Sequence, residues 1–327
     1  MSYRNCMIRE PFDTENWERL EYLDIWVRKP IAHLEDSHYA EPRQIVCKWC
    51  GSTDIIKRGI DNGVQEYTCN SCGRRFTDKD APYGMRTTVN QIGNSLTSYY
   101  NGLSLSDIST SLEESYDNPV DRSTVYRWLL KYSEDAVNLF SPIVAKVSDK
   151  WVADETAIKI DEKLYWVWDI IDSHSRFLLA THLSPNRGTK DAQILMELAS
   201  KKAGGLIPKV VITDKLAGYL GGIELTFGSD TKHIQGSPFD IGNDSNLIER
   251  MQGTIKERTK ILRGFKTVPT ARLILDGFIV HYNYFRTHLG LKDFTPKGID
   301  KTPAEVAKII RPVHNWTELV RKVGGIA

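Results

Sequence analysis

The sequence predicts an α/β protein, a mixed-sheet core preceded by a cysteine-bearing module and a helical module. Three observations predict it. Residues 151–183 hold three strand-like runs rich in Trp, Tyr, Val and Ile, and a helical run and a short apolar strand follow them. Four of the five cysteines fall in two pairs between Cys47 and Cys72. Between these regions, residues 86–135 read as three short helices with start and stop signals.

Taken in order, residues 1–43 are polar and acidic, and Leu20, Leu23 and Val27 recur there at helical spacing. Residues 44–80 form the cysteine module, with a hairpin turn expected at Asn62-Gly63. Residues 84–138 hold the three helices. The first spans about Thr88 to Tyr100, the second is capped by Ser104 or Ser106 and runs through Leu112, and the third is capped by Ser123 and runs from Thr124 to about Tyr132. The core is expected over 148–288. Trp151-Val-Ala-Asp154 opens its first strand, Leu164–Ile171 is the second and Arg176–Leu183 the third, an antiparallel meander. Thr189–Lys202 is helical, and Lys209–Thr213 is a strand of the kind buried on both faces. A long helix from Asn243 to about Leu262 and another over Ala271–Phe285 complete the core, and residues 289–327 form a C-terminal extension.

Composition excludes some classes. The 327 residues are 41% hydrophobic and 26% charged, ordinary for a globular protein of two or three units. No apolar run approaches the roughly 18 residues of a membrane helix, and no apolar stretch follows the first basic residues, so a cytosolic protein with no membrane partner is expected. The net charge is +1, but its distribution is uneven. Seven basic residues from Arg250 to Arg272 face one acid, Glu257, whereas the first forty residues carry five basic and eight acidic side chains. A local basic stripe of this kind suits nucleic acid.

The cysteines read Cys47-x2-Cys50-x18-Cys69-x2-Cys72. Each pair sits on a tight turn, and four thiolates at about 2.3 Å close a tetrahedral zinc site that leaves no position for water. One structural Zn²⁺ is therefore expected, in preference to a redox dithiol. Cys6 is a free thiol. Lys57, Arg58, Arg74 and Arg75 offer phosphate contacts, with a solvated surface as the plain alternative. In the third helix Thr124 and Arg127, with Trp128 and Lys131, would meet DNA if the helices form a helix-turn-helix; Val125, Leu129 and Tyr132 face its core. Residues 81–150 carry six basic and eight acidic residues, so this module alone binds DNA modestly.

Three acids stand out by placement. Asp154 lies in the first core strand, Asp214 directly follows the apolar strand, and Glu249 lies in the long helix, 35 positions beyond Asp214 with 34 residues between them. Acids at strand ends and on a helix face of one core can converge on hard divalent ions, two Mg²⁺ or Mn²⁺ serving phosphoryl transfer. Lys256 follows Glu249 by seven positions, and Lys260 and Arg263 continue near the same face. Asp161, Asp169, Asp172, Asp191 and Asp230 read as turn, strand-end or surface acids. His233 can approach the site, although a lone histidine is more often structural.

These features resemble the DDE transposases of bacterial and archaeal insertion sequences, relatives of the retroviral integrases. The resemblance rests on the D…D-34-E pattern, on Asn246-Leu-Ile-Glu249-Arg-Met-Gln-Gly-Thr-Ile-Lys256, on Tyr282-Asn283-Tyr-Phe-Arg286-Thr-His288 and on Thr302-Pro-Ala-Glu305, across residues 150–306. It implies an RNase H-like core in which Asp154, Asp214 and Glu249 hold two divalent ions. It also implies cleavage at transposon ends, joining of the freed 3′-hydroxyl to target DNA, and contact of Lys256 with DNA near the scissile phosphate. Terminal inverted repeats would be selected by the N-terminal modules, with the protein acting at the nucleoid as a dimer or larger assembly. The rival readings are an RNase H-fold nuclease or resolvase, and a domesticated DNA-binding protein without catalysis.

Overall fold

A computed structural model of the chain describes residues 45–61, 63–82, 84–236, 253, 265–292 and 298–324. The helix expected within 1–43 and, apart from Gly253, the one expected over Asn243–Leu262 lie outside the described residues.

The core is a five-stranded mixed sheet. Strand β4 (Lys150–Ile160) pairs antiparallel with β5 (Lys163–Asp172), and β5 with β6 (Leu178–Ser184). Asp161 and Glu162 make the first turn in the left-handed region, at φ 49° and 61°. Strand β7 (Val210–Thr213) joins β4 in parallel and β8 (Lys232–Gln235) joins β7 in parallel, giving the order β6-β5-β4-β7-β8. The sheet is mixed, as the sequence predicts. Parallel strands need crossovers, and α4 (Thr189–Lys202) and α5 (Ala217–Phe227) provide them. Helix α4 buries the expected stripe of Ala192, Leu195, Met196 and Ala199. Helix α5 and strand β8 are not anticipated by the sequence. Gly218, Gly221 and Gly222 look like breaks in a helical pattern, yet they let α5 lie close on α4: a Cβ on Gly222 would stand 2.6 Å from that of Ala192.

Preceding the sheet are α1 (Val89–Asn101), α2 (Leu105–Tyr116) and α3 (Arg122–Phe140). Thr88 with Gln91 and Ser104 with Asp107 form reciprocal capping boxes at the first two. The cap of α3 is Asp121, whose carboxylate accepts the Ser123 N–H at 2.7 Å, rather than Ser123 itself. Helix α3 also continues past Tyr132, because Ala136 and Phe140 extend its buried stripe. Following the sheet come α6 (Val268–Val280), a π-helical turn over His281–Phe285, the short hairpin β9 (His288–Lys292) and β10 (Asp300–Lys301), α7 (Pro303–Val306) and α8 (Trp316–Val323).

The helices and the sheet share one apolar core running from Val89 to Val320. Tyr100 of α1 is hydrogen-bonded to Ser133 of α3 at 2.7 Å and stacks on Trp316 of α8 at 5.2 Å. Arg321 of α8 grips both oxygens of Asp80, at 2.9 and 2.6 Å. The C-terminal extension thus closes back on the start of the helical module. The cysteine module is a separate three-stranded sheet, β1 (Ile55–Asp61), β2 (Val64–Cys69) and β3 (Arg75–Thr77), over a small core of Cys47, Tyr67, Cys69 and Phe76. Gly63, at φ 77°, lies in the expected hairpin turn.

Candidate active site and metal centres

Strand β4 outruns its parallel neighbour. Its pairing with β7 ends at Val152 opposite Ile212, so Asp154 stands just beyond the paired segment. Asp214 leaves the end of β7 in the same region, and its Oδ1 accepts the Leu216 N–H at 2.9 Å, which fixes its direction. The two expected aspartates are therefore brought together by adjacent parallel strands. A third acid joins them: carboxylate oxygens of Asp154, Glu155 and Asp214 all lie within 4.8 Å of one another. Glu155 is the residue the sequence reading missed. Its side chain is 1% exposed, that of Asp214 39%. Like charges this close need a cation, and Arg187 supplies one. Its Nε donates to Glu155 Oε1 at 2.8 Å, with Nη2 on the same oxygen, and its guanidinium lies 3.9 Å from Asp214. The same guanidinium lies over the ring of Trp166, 4.4 Å from its centroid. Burial works against the Arg187 charge, but Glu155 and Asp214 outweigh it and leave its pKa raised.

Glu249, Lys256, Lys260 and Arg263 lie outside the described residues. Asp154 and Asp214 offer hard oxygen donors, and the half-exposed Asp214 is open to solvent on one side; this donor set fits Mg²⁺ or Mn²⁺.

The other acids are less peripheral than expected. Asp169 is fully buried in mid-strand, directly across from Asp154 in the β4–β5 register. Burial pushes its carboxyl up to about 7, the Thr181 hydroxyl opposing and the Asp154 charge adding to the shift. Asp172 is also buried, and it accepts the backbone N–H groups of Ser148 and Ser175 at 2.9 and 2.7 Å, so it fastens the turn into β6. Asp191 accepts from the Gly188 N–H at the start of α4 and meets His182 at 3.2 Å. Asp161 occupies a turn and Asp230 is exposed, as expected. His233 on β8 contacts the Thr213 hydroxyl at 2.8 Å, one residue from Asp214. Of the tryptophans on one face of β5, Trp168 is fully buried against Tyr219, whereas Trp166 is the partly exposed seat of Arg187.

In the cysteine module the four sulfurs converge, with Cys47–Cys72 at 3.7 Å and Cys50–Cys69 at 3.6 Å. The edge of a tetrahedron with 2.3 Å metal–sulfur bonds is about 3.8 Å, so these thiols fit one Zn²⁺ with little movement. Gly51 and Gly73, at φ 71° and 69°, turn the chain so that their N–H groups return to the Cys47 and Cys69 carbonyls. Burial raises the Cys69 thiol, but the Cys72 N–H and the neighbouring sulfurs outweigh it and bring it to about 6. Arg74 lies over the Trp49 ring at 4.4 Å, while Lys57 and Arg58 are exposed on β1.

At the start of α3, Arg127 is exposed and donates to the half-buried Thr124 hydroxyl at 2.9 Å. Lys131 is exposed, whereas Trp128 is buried and belongs to the core with Val125, Leu129 and Tyr132.

Residues 148–288 match the family described as the DDE domain. The chain is also similar to the transposases for the insertion sequence-like element IS431mec of Staphylococcus aureus strains Mu50 and N315, each 34% identical over 113 residues. Those alignments cover 35% of this chain and 49% of the relatives, so the chain spans about half the length of the relatives it matches. Among solved structures, the simian T-cell lymphotropic virus intasome in complex with PP2A regulatory subunit B56 gamma has a chain with TM-score 0.38 and 15% identity, over 53% of this chain and 59% of that one. The HTLV-2 integrase catalytic core domain in complex with magnesium (dimeric form) has TM-score 0.37 and 17% identity, over 50% and 97%. Among the described residues, no helix is long and apolar enough to cross a membrane.

Proposed function

We propose that this protein is a DNA transposase that cuts at transposon ends and joins the freed 3′-hydroxyl to target DNA. The observation that carries the reading is the convergence of Asp154 and Asp214, from neighbouring parallel strands of a DDE domain, to carboxylate separations within 4.8 Å. Glu249 is the proposed third acid. Two Mg²⁺ or Mn²⁺ ions held by this set would supply Lewis-acid activation of the attacking oxygen and stabilisation of the leaving one. Asp154 and Asp214 orient the site and carry the negative charge that retains the ions. Water, and then a DNA 3′-hydroxyl, gives up its proton to solvent as its oxygen forms a P–O bond; the bond to the leaving 3′-oxygen breaks, and that oxygen takes up a proton from solvent. No covalent protein–DNA intermediate is needed.

Lys256, Lys260 and Arg263 form the proposed DNA track beside Glu249. The exposed start of α3, with Arg127 and Thr124, suits recognition of the terminal inverted repeats. One Zn²⁺ on Cys47, Cys50, Cys69 and Cys72 holds the N-terminal ribbon. Action at the nucleoid as a homodimer or larger assembly follows from the need to hold two DNA ends.

The test is Mg²⁺- or Mn²⁺-dependent nicking of a duplex bearing one end of the element, by wild type and by Asp154→Asn. The reading requires nicking at the end that the variant loses. Specific binding to the end with no nicking by wild type would favour the DNA-binding rival, and nicking indifferent to the end sequence would favour the nuclease.

A further inference from the structure

Arg187 has a combination of contacts that the carboxylate site alone does not explain. It lies in the loop between β6 and α4, where the Asn186 N–H is held by the Ser184 hydroxyl at 3.0 Å and the Gly188 N–H by Asp191 at 3.2 Å. Its backbone is thus fixed on both sides. Its Nε and Nη2 share Glu155 Oε1, on a carboxylate whose side chain is 1% exposed. Its plane rests on Trp166 at 4.4 Å. Yet 40% of the side chain remains exposed, and Nη1 makes no hydrogen bond among the described residues. The separation from Asp214, 3.9 Å, is too long for a hydrogen bond, so Asp214 is a neighbour and not an anchor.

A guanidinium needed only to neutralise Glu155 could be buried with it. This one is clamped along one edge and one face while the remaining edge meets solvent at the mouth of the acid cluster. A planar cation with donors in a fixed fork matches phosphate oxygens better than a mobile ammonium does. A clamped donor also needs no reorganisation when charge develops on the phosphate.

We propose that Arg187 is a substrate-contacting residue of this site, binding a non-bridging oxygen of the DNA phosphate presented to Asp154 and Asp214, with Glu155 and Trp166 as its positioning residues. The proposal rests on the transposase reading and names a further residue of the same site. Glu155, despite lying within the acid cluster, is assigned to Arg187 and not to the metal ions.

The test compares Arg187→Ala, Arg187→Lys and Glu155→Gln with wild type in the full chain, reading Mn²⁺ binding without DNA, thermal stability, and kcat and KM for metal-dependent nicking. Arg187→Ala should bind Mn²⁺ at least as tightly as wild type, because a cation beside Asp214 is removed, while kcat falls about 100- to 1000-fold, the usual loss for one preorganised donor. Arg187→Lys should recover roughly tenfold of that loss by restoring the charge without the fork. Glu155→Gln should keep Mn²⁺ binding and lose kcat by a smaller factor. Loss of Mn²⁺ binding in Arg187→Ala would overturn the proposal by making Arg187 a structural lock of the acid cluster; so would full nicking by that variant, and so would Mn²⁺ binding abolished in Glu155→Gln. Wild type that neither binds Mn²⁺ through Asp214 nor nicks DNA would overturn the transposase reading itself, and the proposal with it.

Discussion

Asp214 owes its place to the end of an apolar strand, and Asp154 to a strand that continues past the point where its parallel partner stops. Replacing either by Asn keeps shape and removes charge. On the proposed reading, several kcal/mol of transition-state stabilisation would depend on ions held there, which at 1.36 kcal/mol per tenfold is a loss of about a thousandfold or more in nicking rate. Single-turnover nicking by Asp154→Asn and Asp214→Asn measures it, and wild-type rates in both would contradict the assignment. A second residue-scale prediction concerns His288. Its burial, with Arg286 and Arg176 nearby and the Tyr282 carbonyl opposing them, lowers its pKa to about 4. The unfolded chain takes up this proton near pH 6.5, the folded chain only near 4. Stability from neutral His288 is therefore complete above about pH 6.5 and lost as pH falls towards 4. Thermal melts across that window should show a decline that His288→Gln flattens; an unchanged slope in the variant would exclude the histidine as its source.

Among the elements, the helices carry the connection between the helical module and the C-terminal part of the described residues. Gly93 of α1 meets α8 so closely that a Cβ would stand 2.6 Å from the Thr317 Cα, and a Cβ on Gly277 of α6 would stand 2.1 Å from the Tyr100 hydroxyl. Gly93→Ala and Gly277→Ala should each destabilise by about 1–3 kcal/mol, as overpacked contacts do, although alanine favours helices elsewhere. Denaturant titration checks this, and a gain in stability would show that these helices can part cheaply. The elements also show what could be read without the structure. The meander, α4 and β7 were legible because period-two and helical patterns each suit one buried face, and Asp214 was legible because it follows an uninterrupted apolar run. Helix α5 was not, since its glycines signal both turns and close packing. Glu155 was hidden by the rule of alternation, which sends it to the opposite face from Asp154. The local signal was an Asp-Glu pair in the otherwise largely apolar run from Trp151 to Ile160. Asp169 was misjudged because β5 is buried on both faces over Val167–Asp172, so a polar letter there does not mark the surface. Trp128 was misassigned for a related reason, since an amphipathic side chain at helical spacing fits either the core or the DNA face.

For the whole molecule, two cores of very different size set the response to metal removal. The large core joins helices, sheet and C-terminal extension. The small one has four buried residues, two of them cysteines, too few to hold a sheet without a cross-link. Purified protein should contain one zinc per chain. Cys69→Ser or a strong chelator should abolish it and melt β1–β3, while the large core keeps its cooperative transition. Elemental analysis with amide hydrogen exchange reads both, and a ribbon that stays protected without zinc would contradict the account. The carboxylate site belongs to the large core, so its chemistry can be measured independently of the ribbon on DNA supplied with a pre-cut 3′-hydroxyl end. The most direct measurement of the central claim is strand transfer from such an end into target DNA with Mg²⁺ or Mn²⁺, comparing wild type with Asp214→Ala. The account predicts joined products from wild type that require the metal and vanish in Asp214→Ala. Joining that survives the substitution, or wild type that binds the ends and never joins them, would contradict it.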